Sequence, residues 1–435
     1  MRLFTKQHIQ QGFARIKEKE FNFYFADDSF SFIPVDDLSK EPDWKPMRSS
    51  EIRKLSIKCR ANNGLDVYAD IDGAKNGHLT CENTLKCTYD KLFIHQKSYR
   101  IDAVCFRGKL IDRIVQNITI RRKLINGHNP EELSLNTSFL FLGKKCNLST
   151  ETMVVSTEEG EIKFESTVFL SFDSPATKEE AFSAYSCFAR LVQFMSHRRD
   201  VYFDCDTYTA EKESLIQTGS MYLSIVSEKR AGEVSNSISI ETIFPIVGEL
   251  LSFVEKGNIV PLFIPSQKLV TFSDSYILAT AWAQMVFKQT YVPVSSFYTV
   301  AKYDVLDSRK QKKDKRVSFQ EQMSILITDA FPFVSSFTTI AFNFLLANIN
   351  IQKYTSIDLP ERLKKVRNAI AHGSSDPKDY EYTQYDMVLL LCSIYYGILK
   401  KKFGLNDALF KLALAELFFD DTEAFAQWKK CHEDN

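Results

Sequence analysis

Hydrophobic and polar residues alternate over much of the first half of the chain, and this pattern predicts β-strands. Alternating or β-branched runs occur at 65–71, 101–106, 118–120, 139–142, 153–155 and 161–172. Gly160 separates the last two runs, as the turn of a hairpin would. Several short strands at this spacing predict a sandwich or barrel-like region over residues 1 to about 172.

A helical period appears near 176–195 and again near 243–256. Thr177 and Glu180 have the spacing of a capping box at the start of the first helix. The apolar face of that helix is supplied by Phe182, Tyr185, Phe188 and Val192. Strand-like runs return at 201–203 and 221–226, so we predict a β-rich region with a few helices over residues 1–265.

After Pro265 the pattern becomes helical. Helical runs occur at 273–288, 318–330, 333–351, 358–372, 380–403 and 406–419, with a short one at 422–430. The sequence therefore predicts an all-α bundle over residues 272–435. The predicted fold class is α+β, in which a β-rich N-terminal region with a few helices precedes this bundle.

The helix predicted at 358–372 carries the chain's most informative motif. Asp358 is placed as its N-cap and Glu361 as the capping-box partner, and Gly373 ends it. Its last residues read Arg367-Asn368-Ala369-Ile370-Ala371-His372, the pattern R-x4-H with a polar residue after the arginine. The motif therefore places a permanent cation and a titratable imidazole near one helix end.

These residue types suit cleavage of RNA, which carries its own nucleophile in the 2′-hydroxyl group. His372 can move the protons, since an imidazole titrates near ~6.5. Arg367 stays charged and can hold two phosphate oxygens, and Asn368 can orient the phosphate or the imidazole. Neither a metal nor a cofactor is required. We find no Cys/His cluster at ligand spacing; His78, His95 and His128 lie in turn-like surroundings without a partner.

The R-x4-H motif and its flanks resemble the signature of the HEPN superfamily, many of whose members are metal-independent ribonucleases. The resemblance implies that residues 272–435 form a HEPN-like bundle. It further implies an endoribonuclease that leaves 2′,3′-cyclic phosphate and 5′-hydroxyl ends, with Arg367, Asn368 and His372 as catalytic residues. Residues five apart on a helix point about 140° from each other. HEPN ribonucleases pair two motifs across a dimer, so the resemblance implies a homodimer with a composite site.

The length and the order of elements resemble, more narrowly, the ApeA family of anti-phage abortive-infection proteins. That resemblance implies a toxin acting on host or phage RNA, tRNA being suggested by family analogy alone. It also implies that the N-terminal region senses a phage-derived trigger. One departure is that Ala281-Trp282-Ala283-Gln284 stands where many such bundles place an acidic residue.

Other interpretations of the same residues remain open. Arg367 and His372 can be a surface cation and a capping imidazole, in a non-catalytic module that dimerises or binds a nucleotide or partner protein. A structural or adaptor protein would use the β-rich region alone. The candidate RNA contacts can equally belong to a solvated loop and helix face; they are Lys364, Arg309, Lys310, Lys312, Lys313 and Arg316.

The length and composition of the chain limit the kinds of protein to which it can belong. A chain of 435 residues predicts two or three domains. Net charge is zero and the pI is about 7.0, so any RNA contact has to be local. Nine scattered cysteines without C-x-x-C predict buried reduced thiols. The first eight residues lack an apolar signal core, and the longest apolar run is too short to span a bilayer; we therefore predict a cytoplasmic protein without membrane contact.

Overall fold

The computed structural model describes the following residues: 4, 6, 9–16, 19–26, 29–36, 54–61, 66–73, 75–79, 85–116, 118–156, 162–196, 201–211, 214–226, 239–255, 320, 361, 364 and 404. The helices and strands named below belong to one of two compact units, which comprises Met1–Ser235 and Ser239–Glu255.

Strands dominate the described residues. They are β1 (Ile9–Ile16), β2 (Lys19–Ala26), β3 (Ser29–Pro34), β4 (Lys54–Ala61), β5 (Asp66–Asp72), β6 (Lys75–Leu79), β7 (Leu85–Thr88), β8 (Lys91–His95), β9 (Ile101–Arg107), β10 (Asn136–Phe141), β11 (Lys144–Ser156), β12 (Ile162–Ala176), β13 (Asp204–Glu211) and β14 (Ser214–Leu223).

The strands form one 14-stranded sheet in the order β10-β11-β12-β9-β13-β14-β8-β5-β4-β1-β2-β3-β7-β6, and every strand pair is antiparallel. β11 and β12 make a long hairpin in which Ser156 pairs with Ile162. β13 and β14 come much later in the chain, yet they pair with β9 and β8. These two strands therefore join the early strands to the β10–β12 group.

An aromatic core lies on one face of the early strands. The fully buried rings of Phe23, Phe30 and Phe32 lie close to one another, with centroid separations of 5.2 to 5.8 Å. In β5, Val67, Ala69 and Ile71 join this core, and the intervening side chains are partly exposed on the opposite face. The period of two in β5 thus separates an apolar interior from a polar outer face.

The helices are short, except for α3. They are α1 (Lys109–Val115), α2 (Ile118–Ile125), α3 (Lys178–Ser196), α4 (Ile240–Ile243) and α5 (Val247–Glu255), with 3-10 turns at Pro130–Leu133 and Phe244–Ile246. α3 packs against β9, β12 and α5. Phe188 of α3 stacks on Phe106 of β9 with ring centroids 4.0 Å apart and an interplanar angle of 7°.

The capping box predicted at the start of α3 is confirmed. The backbone N–H of Thr177 donates to Glu180 Oε2 at 2.7 Å, and the backbone N–H of Glu180 donates to Thr177 Oγ1 at 3.2 Å. The predicted apolar face is also confirmed, because Phe182, Tyr185 and Phe188 are fully or almost fully buried. Local spacing was therefore sufficient to locate this helix and the side that it buries.

The predicted fold class is wrong. The described residues form one large antiparallel sheet with few helices, and they contain no all-α bundle of the HEPN kind. Local periodicity predicted a sandwich or barrel-like region over residues 1 to about 172, whereas strands from the whole of 9–223 join one sheet. In the structure α3 is an insertion between strands of the same sheet, because β13 and β14 return to pair with β9 and β8. Of the bundle predicted at 272–435, the structure describes residues 320, 361, 364 and 404 alone.

Several finer predictions can also be compared with the structure. The strands predicted at 65–71, 101–106 and 139–142 correspond to β5, β9 and β10, and the predicted hairpin corresponds to β11 and β12. The strand predicted at 118–120 is wrong, since these residues begin α2. Three β-branched residues in succession suit a strand, but they can also fill one turn of helix. Cys59, Cys105, Cys146, Cys187 and Cys205 are buried free thiols, as predicted.

Within the described ranges, no helix has the length and apolar character needed to cross a membrane.

Hydrogen bonds from two polar side chains of α1 and its C-terminal end connect this helix to β12. Asp112 Oδ1 accepts a 2.6 Å hydrogen bond from the backbone N–H of Ser166 in β12. Gln116 Nε2 donates to the carbonyl of Phe164 at 2.9 Å and to Ser166 Oγ at 2.8 Å. Burial raises the pKa of Asp112 from 3.8 to about 6, and the nearby Glu165 carboxylate adds to this rise. In the folded protein Asp112 therefore stays protonated to a higher pH than an exposed aspartate does.

We predict that Asp112→Asn changes the pH dependence of stability. Because the pKa of Asp112 is higher in the folded state, the protonated group stabilises the fold below its unfolded pKa, and this contribution is lost as the pH rises through about 6. The asparagine side chain of the variant still accepts from Ser166 but does not titrate. Between the unfolded pKa of 3.8 and about pH 6, the free energy of unfolding measured with denaturant should fall less steeply with rising pH in the variant than in the parent. An unchanged slope, or the same change in the exposed control Asp173→Asn, would contradict this account.

Candidate functional site

Almost all residues predicted to act on RNA lie outside the described part of the chain. The structure therefore does not place the catalytic candidates Arg367, Asn368 and His372. The same holds for the candidate RNA contacts Arg309, Lys310, Lys312, Lys313 and Arg316.

Lys364 is the one predicted site residue that the structure describes. It is helical and exposed, and its Nζ donates to Gln320 Oε1 at 3.3 Å. Glu361 is helical as well, so both described positions agree with the helix predicted at 358–372. An exposed ammonium group on a helix is available to a phosphate, but contact with RNA stays a prediction.

The described residues bring another set of charged groups together on the outer face of the sheet, where α3 begins. Asp70 of β5 is at its centre. Its Oδ1 accepts from Ser56 Oγ at 2.7 Å, and its Oδ2 accepts from Lys178 Nζ at 3.1 Å. His95 Nε2 lies 3.4 Å from the same Oδ2 atom. The Asp70 carboxylate is therefore contacted by Ser56 of β4, by His95 at the end of β8 and by Lys178, the first residue of α3.

His95 is buried in an aromatic setting at the end of β8. Its ring stacks on Phe93 at a centroid distance of 4.6 Å and meets the Tyr99 ring edge-on at 4.4 Å. Its Nδ1 lies 2.6 Å from the carbonyl oxygen of Gln96. Because a carbonyl oxygen only accepts, Nδ1 carries the proton. The other ring nitrogen, Nε2, therefore faces the Asp70 carboxylate.

Asp70 and Lys178 are held in their charged forms. Burial of the Asp70 carboxyl group opposes its ionisation, but the contacts with His95, Ser56 and Lys178 outweigh this effect and hold its pKa well below the ordinary range. Burial alone would lower the pKa of Lys178, but the hydrogen bond to Asp70 and the charges of Asp70 and Asp72 raise it. The pair is therefore an ion pair at neutral pH.

A cavity of about 510 Å³ lies beside this pair, between the residues that lead into β9 and the junction of β12 with α3. Its lining includes Tyr99, Arg100, Pro175 and Lys178. Arg100 Nε donates to Asp102 Oδ1 at 2.8 Å. Burial of Asp102 opposes its ionisation, but the N–H of Ala210 together with Arg100 and Thr209 lowers its pKa. The second wall of the cavity thus also carries an ion pair.

This arrangement is suited to binding more than to nucleophilic catalysis. Ser56 donates a hydrogen bond to Asp70, but the low pKa of that carboxyl group makes it too weak a base to activate the hydroxyl. Local sequence patterns did not predict this cluster, and they placed His95 in a turn-like setting, whereas it ends β8. The residues are far apart in the chain, and the only local signal near them was the capping box that located the start of α3.

No protein-family model, curated protein or solved structure matches the chain. The HEPN and ApeA resemblances therefore stay expectations that depend on the motif and on the order of elements in the sequence.

We predict that Asp70 and Lys178 are energetically coupled. Their side chains are 17% and 20% exposed, so their attraction is screened less than that of a surface pair. A double-mutant cycle with Asp70→Asn and Lys178→Met should give a coupling energy of about 1–3 kcal/mol in denaturant unfolding. Lys58 and Asp66 form a matched exposed pair, at 58% and 53% exposure, and should give about 0–1 kcal/mol. Equal coupling in the two cycles would contradict the prediction.

Proposed function

We propose that the protein is a metal-independent endoribonuclease that cleaves RNA to 2′,3′-cyclic phosphate and 5′-hydroxyl ends. The observation that carries this proposal is the segment Arg367-Asn368-Ala369-Ile370-Ala371-His372 in the sequence. The helical state of Glu361 and Lys364, just before this segment, supports it, because the motif is expected at the end of that helix.

The proposed reaction needs three tasks from the protein. His372 accepts the proton of the 2′-hydroxyl group or donates one to the departing 5′-oxygen. Arg367 stabilises the negative charge that develops on the phosphorus centre, a task that a metal ion performs in other nucleases. Asn368 orients the phosphate or the imidazole. The attacking oxygen belongs to the substrate, so no nucleophile of the protein is consumed.

The proposal extends to a partner and a biological setting. Arg367 and His372 diverge on a helix, so we propose that two copies of the chain pair and each site combines groups from both. The substrate is host or phage RNA, tRNA by family analogy alone. We place the enzyme in the cytoplasm of a prokaryote, where it acts in abortive infection after the N-terminal region meets a phage-derived trigger.

We expect purified protein to cleave total RNA in the presence of EDTA. Arg367→Ala and His372→Ala should each lower the rate by about 100-fold or more, because each removes a group that acts on the transition state. Arg113→Ala and His128→Ala are matched controls at exposed positions and should cleave at the parent rate. End-group analysis should show cyclic phosphates. Activity that disappears in EDTA and returns with magnesium, or that survives both substitutions, would overturn the proposal.

Mixed dimers test the composite site. Dimers made of Arg367→Ala protomers alone, or of His372→Ala protomers alone, should cleave poorly. A mixed dimer has one site that keeps both groups when they come from different copies. Co-expression with two affinity tags and purification of the mixed species should restore part of the cleavage rate. If light scattering shows that the parent protein is a monomer and this monomer cleaves RNA at the full rate, the composite site is excluded.

A further inference from the structure

Three consecutive cations lie on the exposed surface of α2. Arg121, Arg122 and Lys123 are all exposed, whereas Ile120 and Leu124 of the same helix are buried. Successive residues of a helix point about 100° apart, so the three side chains spread over about 200° of the helix surface. They can therefore reach separate charges of one extended partner.

None of these three cations has an ion pair or a side-chain hydrogen bond with another residue that the structure describes. Asp112 of α1 attracts Arg121, but its Oδ1 accepts from the backbone N–H of Ser166. Single exposed cations without an ion pair occur on the sheet as well, but α2 has three in succession. Other cations of the same unit are paired with carboxylates, as in Lys58–Asp66, Arg100–Asp102, Arg107–Asp206, Lys144–Glu180 and Lys178–Asp70.

The end of α2 does not need these side chains as caps. Basic side chains in the last turn of a helix can bond its final carbonyl groups, but here the backbone does so. The N–H of Gly127 donates to the carbonyl of Leu124 at 3.0 Å, and the N–H of His128 donates to that of Lys123 at 3.1 Å. Gly127 has the φ of 81° that such a turn requires. The side chains of Arg122 and Lys123 are therefore available to a partner.

The charge of this part of the chain is positive, although the whole chain has a net charge of zero. Residues 109–132 contain five lysine and arginine residues and three carboxylates, and residues 118–129 contain no carboxylate. Of the described apolar side chains of α2, Ile125 alone is exposed, at 74%. A helix that lies in a membrane surface presents a broad apolar face. The surface of α2 therefore suits an anionic polymer in water better than a membrane.

We propose that α2 binds the phosphodiester backbone of RNA through Arg121, Arg122 and Lys123. A guanidinium group can hold two phosphate oxygens, and the ammonium group adds a compact point charge. Contacts of this kind position a nucleic acid without reading its sequence. The choice of RNA over another anionic polymer rests on the proposed ribonuclease function. The three cations are far from the Arg367–His372 motif in the sequence, so binding and cleavage can be tested separately.

Fluorescence anisotropy of the full chain with a labelled 2′-O-methyl oligoribonucleotide tests the proposal. The methyl group blocks the attacking hydroxyl, so binding is measured whether or not the protein cleaves RNA. The triple variant Arg121→Gln, Arg122→Gln and Lys123→Gln should bind about tenfold or more weakly, and glutamine keeps the helix. Each phosphate contact on a single strand contributes about 0.7 to the slope of log K against log salt, so the slope should become shallower by about 2.

Two further variants separate the α2 surface from total charge. Lys54→Gln, Lys97→Gln and Lys145→Gln together remove the same charge from exposed but scattered positions, and this control should bind with the slope of the parent. Replacing both arginines of α2 by lysine and Lys123 by arginine keeps the charge and should also retain the slope. Equal weakening in the glutamine variant of α2 and in the scattered control would overturn the proposal.

The remaining outcomes distinguish other partners and the two proposals. Failure of the parent to bind the oligonucleotide, or α2-dependent binding to phosphatidylserine vesicles without binding to the oligonucleotide, would refute an RNA surface. A protein that binds the oligonucleotide through α2 but leaves RNA uncut would contradict the ribonuclease proposal and support this one. Cleavage of RNA with unchanged oligonucleotide binding in the glutamine variant of α2 would do the reverse.

Discussion

The packing of α3 against the sheet is the interaction on which the described structure depends. A wide antiparallel sheet exposes apolar area that must be covered, and α3 buries 13 of its 19 residues. The Phe106–Phe188 stack lies at the centre of this contact, and Phe203 packs edge-on against both rings. Thr177 alone separates β12 from α3, so the end of the strand and the cap set the direction of the helix.

The direction of α3 determines which charged groups meet on the outer face of β5. It brings Lys178 to Asp70, and the apolar packing of α3 thereby contributes to holding an ion pair that would be weak on a mobile surface. Two other buried carboxylates of the sheet are also surrounded by hydrogen-bond donors and a cation. Asp102 accepts from Arg100, Thr209 and the N–H of Ala210, and Asp206 is paired with Arg107 and accepts from Ser220. Each carboxylate has donors close by, as burial of a charge requires.

The proposed ribonuclease motif and the charged cluster at the start of α3 depend on different levels of structure. The ribonuclease proposal depends on six consecutive residues whose types and spacing suit phosphodiester cleavage. The charged cluster of Asp70, His95 and Lys178 is different, because it exists only where β5, β8 and the start of α3 meet.

The sequence by itself determined the elements whose signals are local. β5, β9, the β11–β12 hairpin and α3 with its capping box follow from periodicity and capping, which depend only on near neighbours. The fold class could not be predicted in this way, because nothing near β13 or β14 indicates that they return to β9 and β8. Only the tertiary structure decided the strand order, and with it the contact of Lys178 with Asp70, which are 108 positions apart. The physical reason is that strand pairing and helix packing join residues distant in the chain, and local patterns contain no information about which distant partner is chosen.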